Sequence, residues 1–112
     1  MKITILSMRQ QFILSLIPSG EENAIHSREL QAITEISVRA LRAEIESIRR
    51  AGFVICGSNS GYFMPADLDE LRRHIQRQRR AARSVLYTLR SARQLEKELA
   101  LQAEFEQRLD VV

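Results

Sequence analysis

The feature that most constrains this chain is a run of 43 residues, 67–109, that contains neither glycine nor proline. Such a run predicts one continuous helix, because nothing in it interrupts the backbone hydrogen bonds. At ~1.5 Å per residue the helix would be about 60 Å long. Its apolar side chains recur in steps of three and four, and the register slips after Ala92. The repeating positions are Leu68, Leu71, Ile75, Gln78, Ala82, Val85, Leu89 and Ala92, then Leu95, Leu99, Gln102 and Glu106, with Phe105 and Leu109 alongside.

This helix is predicted to hold two chains together. Exposed leucines on a long isolated helix are unfavourable, so the repeat needs a partner, and a second copy related by a two-fold axis is the commonest solution. The chain would then divide into a head, residues 1–65, and a dimerisation helix, residues 66–112. The residues predicted to lie in the dimer contact are Val85, Leu86, Leu89, Leu95 and Leu99.

The charge of the chain is unevenly distributed. Residues 1–93 hold 15 Lys/Arg and 9 Asp/Glu, whereas residues 94–112 hold 2 and 5. The arginines of the long helix are interpreted either as a solvated coiled-coil face or as a surface for phosphate or an acidic partner. The sequence leaves parallel and antiparallel pairing open, although antiparallel pairing would set the basic section against the acidic end.

The second informative stretch is residues 27–52, which predicts two helices joined by a tight turn. Ser27 is predicted to cap the first helix, whose apolar face carries Leu30 and Ile33, and Ser37 is predicted to cap the second. Apolar residues in the second helix then recur at helical spacing, and Gly52 is predicted to end it because glycine accepts left-handed backbone. The apolar positions of the second helix are Val38, Leu41, Ile45 and Ile48.

A β-hairpin is predicted directly after these helices. Residues 53–56 form a strand-like run of β-branched and aromatic residues, residues 57–61 a turn, and residues 62–64 the returning strand. Before the two helices, residues 3–17 predict a first helix that packs behind them, and Ile25 is predicted to pair with the hairpin. The fold class predicted is therefore mainly α with a small β-hairpin, followed by the long C-terminal helix.

This order resembles the winged helix-turn-helix proteins, in particular the biotin-repressor type. The residues that carry the resemblance are the Ser27–Leu30 opening, the Ser37 cap, the Leu41/Ile45/Ile48 spine, the Arg-Arg-Ala-Gly exit at 49–52 and the Gly-Tyr-Phe at 61–63. Residues 16–25, with the Ile-Cys strand and the basic helix that follow, are similar to small phage and prophage winged-helix proteins. Glu35 occupies the turn position at which glycine is common in such proteins, and Thr34 a position at which leucine is common.

The resemblance implies a DNA-binding protein of phage type, a transcriptional regulator or a replication-associated factor, that binds double-stranded DNA as a dimer. Helix 37–51 and the wing, residues 53–64, would contact the DNA, since an arginine-bearing helix suits the major groove. The alternative is a winged-helix module that acts as an adaptor or inhibitor of a host protein machine without specific DNA binding. The predicted DNA-binding residues are Ser37, Arg39, Arg42, Ala43, Glu46, Arg50, Ser58, Asn59 and Ser60.

The sequence gives little reason to expect an enzyme, a metal-binding protein or a membrane protein. The carboxylates form no acid–base pattern, and His26, Cys56 and His74 lack metal-ligand spacing, so we expect neither an enzyme nor a metal or cofactor site. We expect no membrane span, because no run of eighteen apolar residues occurs. Residues 1–20 are interpreted as structural rather than as a signal peptide. A single cysteine fits a reducing cytoplasm, where we expect the protein to act.

Overall fold

The computed structural model describes residues 5–110, and it divides into two compact units with the boundary between His74 and Ile75. The fold class is confirmed: the protein is mainly helical, with one two-stranded antiparallel hairpin and a long C-terminal helix. The elements are α1 (Met8–Leu16), a 3-10 helix (Glu21–Asn23), α2 (Ser27–Thr34), α3 (Val38–Arg50), β1 (Cys56–Ser58), β2 (Gly61–Phe63) and α4 (Leu68–Asp110).

The first helix starts later than residue 3, where the prediction placed it. Ser7 is the N-cap of α1: its side chain accepts a hydrogen bond from the Gln10 backbone N–H, and the Gln10 side chain accepts one from the Ser7 N–H. This reciprocal pair satisfies two N–H groups that have no partner within the helix. Ile13 of α1 is completely buried. Residues 3 and 4 of the predicted helix lie outside the described residues.

The core of the first unit lies between the three helices and the hairpin. α3 contributes its predicted spine of Leu41, Ile45 and Ile48, each at most 1% exposed. Removing such a side chain from water stabilises the fold by ~1.5–3 kcal/mol. Two residues predicted on the apolar faces are not buried: Ile33 is 50% exposed and Val38 is 36% exposed. The core also contains Leu6, Ile13, Ile17, Leu30, Ile36 and Ile55.

The start of α2 differs from the prediction. Ser27 is the first helical residue rather than the cap, and His26 is the N-cap, without a side-chain hydrogen bond to the helix. His26 takes this place through its backbone, because its carbonyl accepts from the N–H groups of Glu29 and Leu30. The turn after α2 requires a left-handed residue, and Glu35 supplies it with φ 58° and ψ 27°. Glu35 therefore has a backbone conformation that glycine adopts more readily than other residues.

Both predicted ends of α3 are confirmed. The Ser37 hydroxyl accepts from the Ala40 N–H at 3.1 Å. At the other end Gly52 has φ 106°, its N–H donates to the Arg49 carbonyl, and the Phe53 N–H donates to the Ile48 carbonyl. This is the Schellman pattern, which satisfies the last carbonyls of a helix.

The hairpin has a shorter turn than predicted, because β1 lies later in the chain and β2 begins one residue earlier. β1 begins at Cys56 rather than Phe53, because Phe53 still belongs to the end of α3, where its N–H donates to the Ile48 carbonyl. The Ile55 carbonyl, just before β1, accepts from the Arg49 side chain Nε at 2.9 Å. Phe53 and Val54 are 37% and 42% exposed. The strands pair from Cys56↔Phe63 to Ser58↔Gly61, which leaves Asn59 and Ser60 as the turn.

The predicted pairing of Ile25 with the wing is confirmed. The Ile25 N–H donates to the Tyr62 carbonyl at 2.9 Å, and the Tyr62 N–H donates to the Ile25 carbonyl at 2.8 Å. Gly61 lets the two segments approach: a Cβ at this position would lie 2.3 Å from the Ile25 carbonyl oxygen. The hairpin is thus held to the segment that leads into α2.

The first turns of α4 belong to the first unit, since the boundary between the two units follows His74. Asp67 caps the helix, since its Oδ1 accepts from the Glu70 N–H at 2.9 Å. Glu70 is 9% exposed, and its two carboxylate oxygens accept from the backbone N–H groups of Ala66 and Glu21. This carboxylate connects the start of α4 to the 3-10 helix, 49 residues earlier in the chain.

The second unit consists of α4 from Ile75 onwards. The helix continues without interruption to Asp110, as its freedom from glycine and proline predicts. Every residue from 78 to 110 is exposed. The apolar repeat of this segment therefore has no cover within its own unit.

Candidate nucleic-acid interface

Three arginines lie on the exposed face of α3, and two of them have no side-chain partner among residues 5–110. Arg39 and Arg42 lie one turn apart, on the side of α3 away from Leu41, Ile45 and Ile48, and both are exposed. Within the described residues neither makes an ion pair or a hydrogen bond to another side chain. Exposed, unpaired guanidinium groups are well suited to bind guanine or phosphate, because their planar array of N–H donors is not already occupied.

Glu46 and Arg50, two other predicted site residues on this face, pair with each other. The Arg50 Nε lies 3.5 Å from the Glu46 carboxylate, one helical turn earlier, and the two side chains are 81% and 55% exposed. Such an exposed pair contributes only ~0.2–0.5 kcal/mol, so it can open when a ligand arrives. In the free protein it neutralises one of the positive charges of the face.

The N-terminal end of α3 presents Ser37. Its hydroxyl oxygen already accepts the cap bond from Ala40, but the hydroxyl proton can still be donated. The end of a helix also carries partial positive charge, which favours an anion there. Ala43 lies exposed between Arg39 and Glu46 and leaves room for close approach.

The wing tip is polar and uncharged. Asn59 and Ser60 are exposed, and the Ser58 hydroxyl accepts from the Ser60 N–H at 3.1 Å, which orders the turn. No Lys or Arg occurs between Phe53 and Ala66. The wing can therefore offer amide and hydroxyl hydrogen bonds to a phosphate, but no ionic contact.

No family model, curated protein or solved structure matches this chain. Within residues 5–110, no three or more His, Cys, Asp or Glu side chains lie where they could hold a metal ion together. None of the described helices combines the length and the apolar character that crossing a bilayer requires.

Sequence reasoning missed the residues that hold the interface in place. Arg49 resembles its neighbour Arg50 in the sequence, yet it is half-buried and donates to the Ile55 carbonyl, so it joins α3 to the base of the wing. The signal that could have identified it is its spacing, four residues after Ile45 on the edge of the buried spine. The missed Glu70 contact spans 49 residues and had no local signal.

A cleft of about 360 Å³ beside the wing was also not predicted. It is formed where β2 meets the start of α2, since the close approach at Gly61 brings the hairpin next to Ser27. The residues that line it are His26, Ser27, Gly57, Ser58, Gly61 and Tyr62.

The predicted dimerisation residues are all solvent-exposed in the single chain. Leu89 is the least exposed at 38%, and Val85 the most at 65%. The other three are Leu86, Leu95 and Leu99, at 60%, 54% and 55%. A hydrophobic strip of this kind, without cover in its own unit, is what a helix–helix contact requires.

Proposed function

We propose that this protein binds double-stranded DNA as a winged-helix dimer, with α3 in the major groove and the wing on the backbone. The observation that carries the proposal is the pair Arg39 and Arg42, exposed and unpaired on the face of α3 that points away from the core. An arginine that contacts guanine through two hydrogen bonds is the commonest specific contact in the major groove. Arg39 and Arg42 would bind bases, and Ser37 and Asn59 would bind phosphates.

The cellular role follows from the resemblance to phage-type proteins. The protein would act in the cytoplasm, on the transcription or the replication of DNA. Two heads joined by α4 would bind two half-sites, and the second head would then bind at high effective concentration. The preferred site of a two-fold dimer would be palindromic.

The first experiment measures binding of labelled duplex DNA by fluorescence anisotropy at low and at moderate salt. Because phosphate contacts release counterions, binding should weaken steeply as salt rises. Arg39→Ala and Arg42→Ala should each cost about 1–3 kcal/mol, or roughly 5- to 150-fold in affinity, without loss of the fold. Arg9→Ala is the matched control, because Arg9 is an exposed arginine on α1 and its loss changes the net charge equally.

Equal effects of the three substitutions would refute the role of α3, since the contact would then depend on charge alone. Selection of bound duplexes from a random pool identifies the target. A palindromic consensus would support binding as a two-fold dimer. If the Arg39→Ala and Arg42→Ala variants select the same DNA sequence as the wild type, the assignment of these two residues to base contacts is wrong.

The second candidate function is binding to another protein. The Glu46–Arg50 pair and the uncharged wing tip favour it, because both reduce the positive charge that a phosphate surface needs. The same titration separates the two functions. No binding to any duplex at low salt would reject DNA binding and favour the adaptor or inhibitor of a host machine.

A further inference from the structure

The apolar positions of α4 are arranged symmetrically about Ala92. Leu89 and Leu95 lie three residues from it on either side, and Val85 and Leu99 lie seven residues from it. The slip in the repeat after Ala92 is the centre of this symmetry. At ~100° per residue, these five positions fall within about 120° of one face of the helix.

The symmetry extends to the ends of the segment. Ile75 and Leu109 each lie seventeen residues from Ala92, and at the ~3.5 residues per turn of a coiled coil they share its face. Ala82 and Gln102, each ten residues from Ala92, pair a small side chain with a polar one. A repeat that reads the same in both directions is suited to a helix that packs against its own reverse. In such a packing, a large side chain on one helix meets a large one on the other, and the alanine at the centre meets alanine.

The charges of α4 are not symmetric about Ala92 but change sign there, from basic before it to mainly acidic after it. Residues 75–93 contain six arginines and no acidic residue, whereas residues 94–110 contain five acidic and two basic residues. In a parallel pair, the six arginines of one helix would lie beside the six arginines of the other, and the like charges would repel. A second helix in the reverse direction places the basic stretch beside the acidic end, twice in each dimer.

We propose that residues 75–109 of α4 bind the same segment of a second copy in antiparallel orientation, with the two-fold axis at Ala92. Val85 then faces the partner's Leu99, Leu89 faces the partner's Leu95, and Ile75 faces the partner's Leu109. The proposal rests on the dimer proposed above and names its geometry, but it does not depend on DNA binding. In this dimer the exposed apolar strip of one helix is covered by the same strip of the second helix. The apolar side chains then meet apolar side chains, and the basic stretch meets the acidic end.

Disulfide cross-linking of the full-length chain tests this orientation. We introduce Val85→Cys and Leu99→Cys separately, and oxidise each variant alone and the two mixed. An antiparallel pair places residue 85 against residue 99, within the short Cα separation that a disulfide allows. We therefore expect a covalent dimer in the mixture and none in either variant alone. The wild-type chain is the baseline, since its one cysteine, Cys56, is buried.

The control pair is Arg83→Cys and Leu101→Cys. These positions are also equidistant from Ala92, but at ~100° per residue they lie on the opposite face of the helix. They should not cross-link when mixed. Circular dichroism and sedimentation of every reduced variant establish that it is helical and dimeric before oxidation.

The outcomes separate this proposal from that of DNA binding. A covalent dimer of the Val85→Cys variant alone would show parallel pairing and overturn the proposal, as would a sedimenting monomer of the wild-type chain at high micromolar concentration. Cross-linking of the control pair as strongly as the test pair would overturn it too. Specific cross-linking in the mixture, in a protein that binds no duplex at low salt, would support the antiparallel dimer and reject DNA binding.

Discussion

Replacing Gly61 with alanine should release the wing from the segment that leads into α2. The added Cβ would lie 2.3 Å from the Ile25 carbonyl oxygen and 2.9 Å from the His26 nitrogen, and both are backbone atoms that no side-chain rotation can move. The segment around Ile25 and strand β2 would have to separate, which breaks the hydrogen bonds between Ile25 and Tyr62 at 2.9 and 2.8 Å.

The loss of stability expected for Gly61→Ala has two contributions. Each lost backbone hydrogen bond costs about 0.5–1.5 kcal/mol. Alanine at φ 121° adds strain of about 1–3 kcal/mol. The free energy of unfolding should therefore fall by about 2–6 kcal/mol.

Gly52→Ala is the matched control. Gly52 also has positive φ, 106°, but a Cβ there would meet nothing within 4 Å. The control therefore contains the backbone strain without the clash, and the gain in stability from a stiffer unfolded chain is the same in both variants. The difference between the variants should be about 1–3 kcal/mol, or at least about 5 °C in melting temperature for a unit of this size.

Thermal unfolding gives the stability, and amide hydrogen exchange locates the change. The N–H groups of Ile25 and Tyr62 should exchange faster in Gly61→Ala and retain their protection in Gly52→Ala. Equal melting temperatures in the two variants, with Ile25 and Tyr62 protected in both, would refute the role given to the close approach at Gly61.

Three further substitutions test the described core and turn. Glu35→Gly should raise the urea midpoint, because Glu35 is an exposed residue in left-handed backbone whose strain of ~1–2 kcal/mol exceeds the entropic cost of glycine; a lower midpoint would contradict this. Ile45→Ala should cost ~2–5 kcal/mol by leaving a cavity, whereas Ile33→Ala, at a half-exposed position, should cost less than about 1 kcal/mol. Equal losses in the two alanine variants would mean that the apolar faces of α2 and α3 are wrongly described.

The features that the sequence determined by itself are local. The Ser37 cap, the end of α3 at Gly52 and the uninterrupted α4 each depend on residues within a few positions of one another, so their spacing in the chain is enough to predict them. The spine of α3 was predictable for the same reason, because helical periodicity selects one face. Arg39 and Arg42 were identified as exposed simply because they are absent from that face.

Tertiary structure decided what the local pattern leaves open. Ile33 and Val38 fit the apolar periodicity but lie at the rim of the core, since burial depends on which elements pack over a helix and not on the helix alone. Arg49 and Arg50 are adjacent arginines, yet one is bound to the Ile55 carbonyl at the base of the wing and the other is paired with Glu46 on the surface. The buried Glu70 carboxylate is the clearest case: its bond to the Glu21 N–H joins residues 49 positions apart, and only the packed chain brings such partners together.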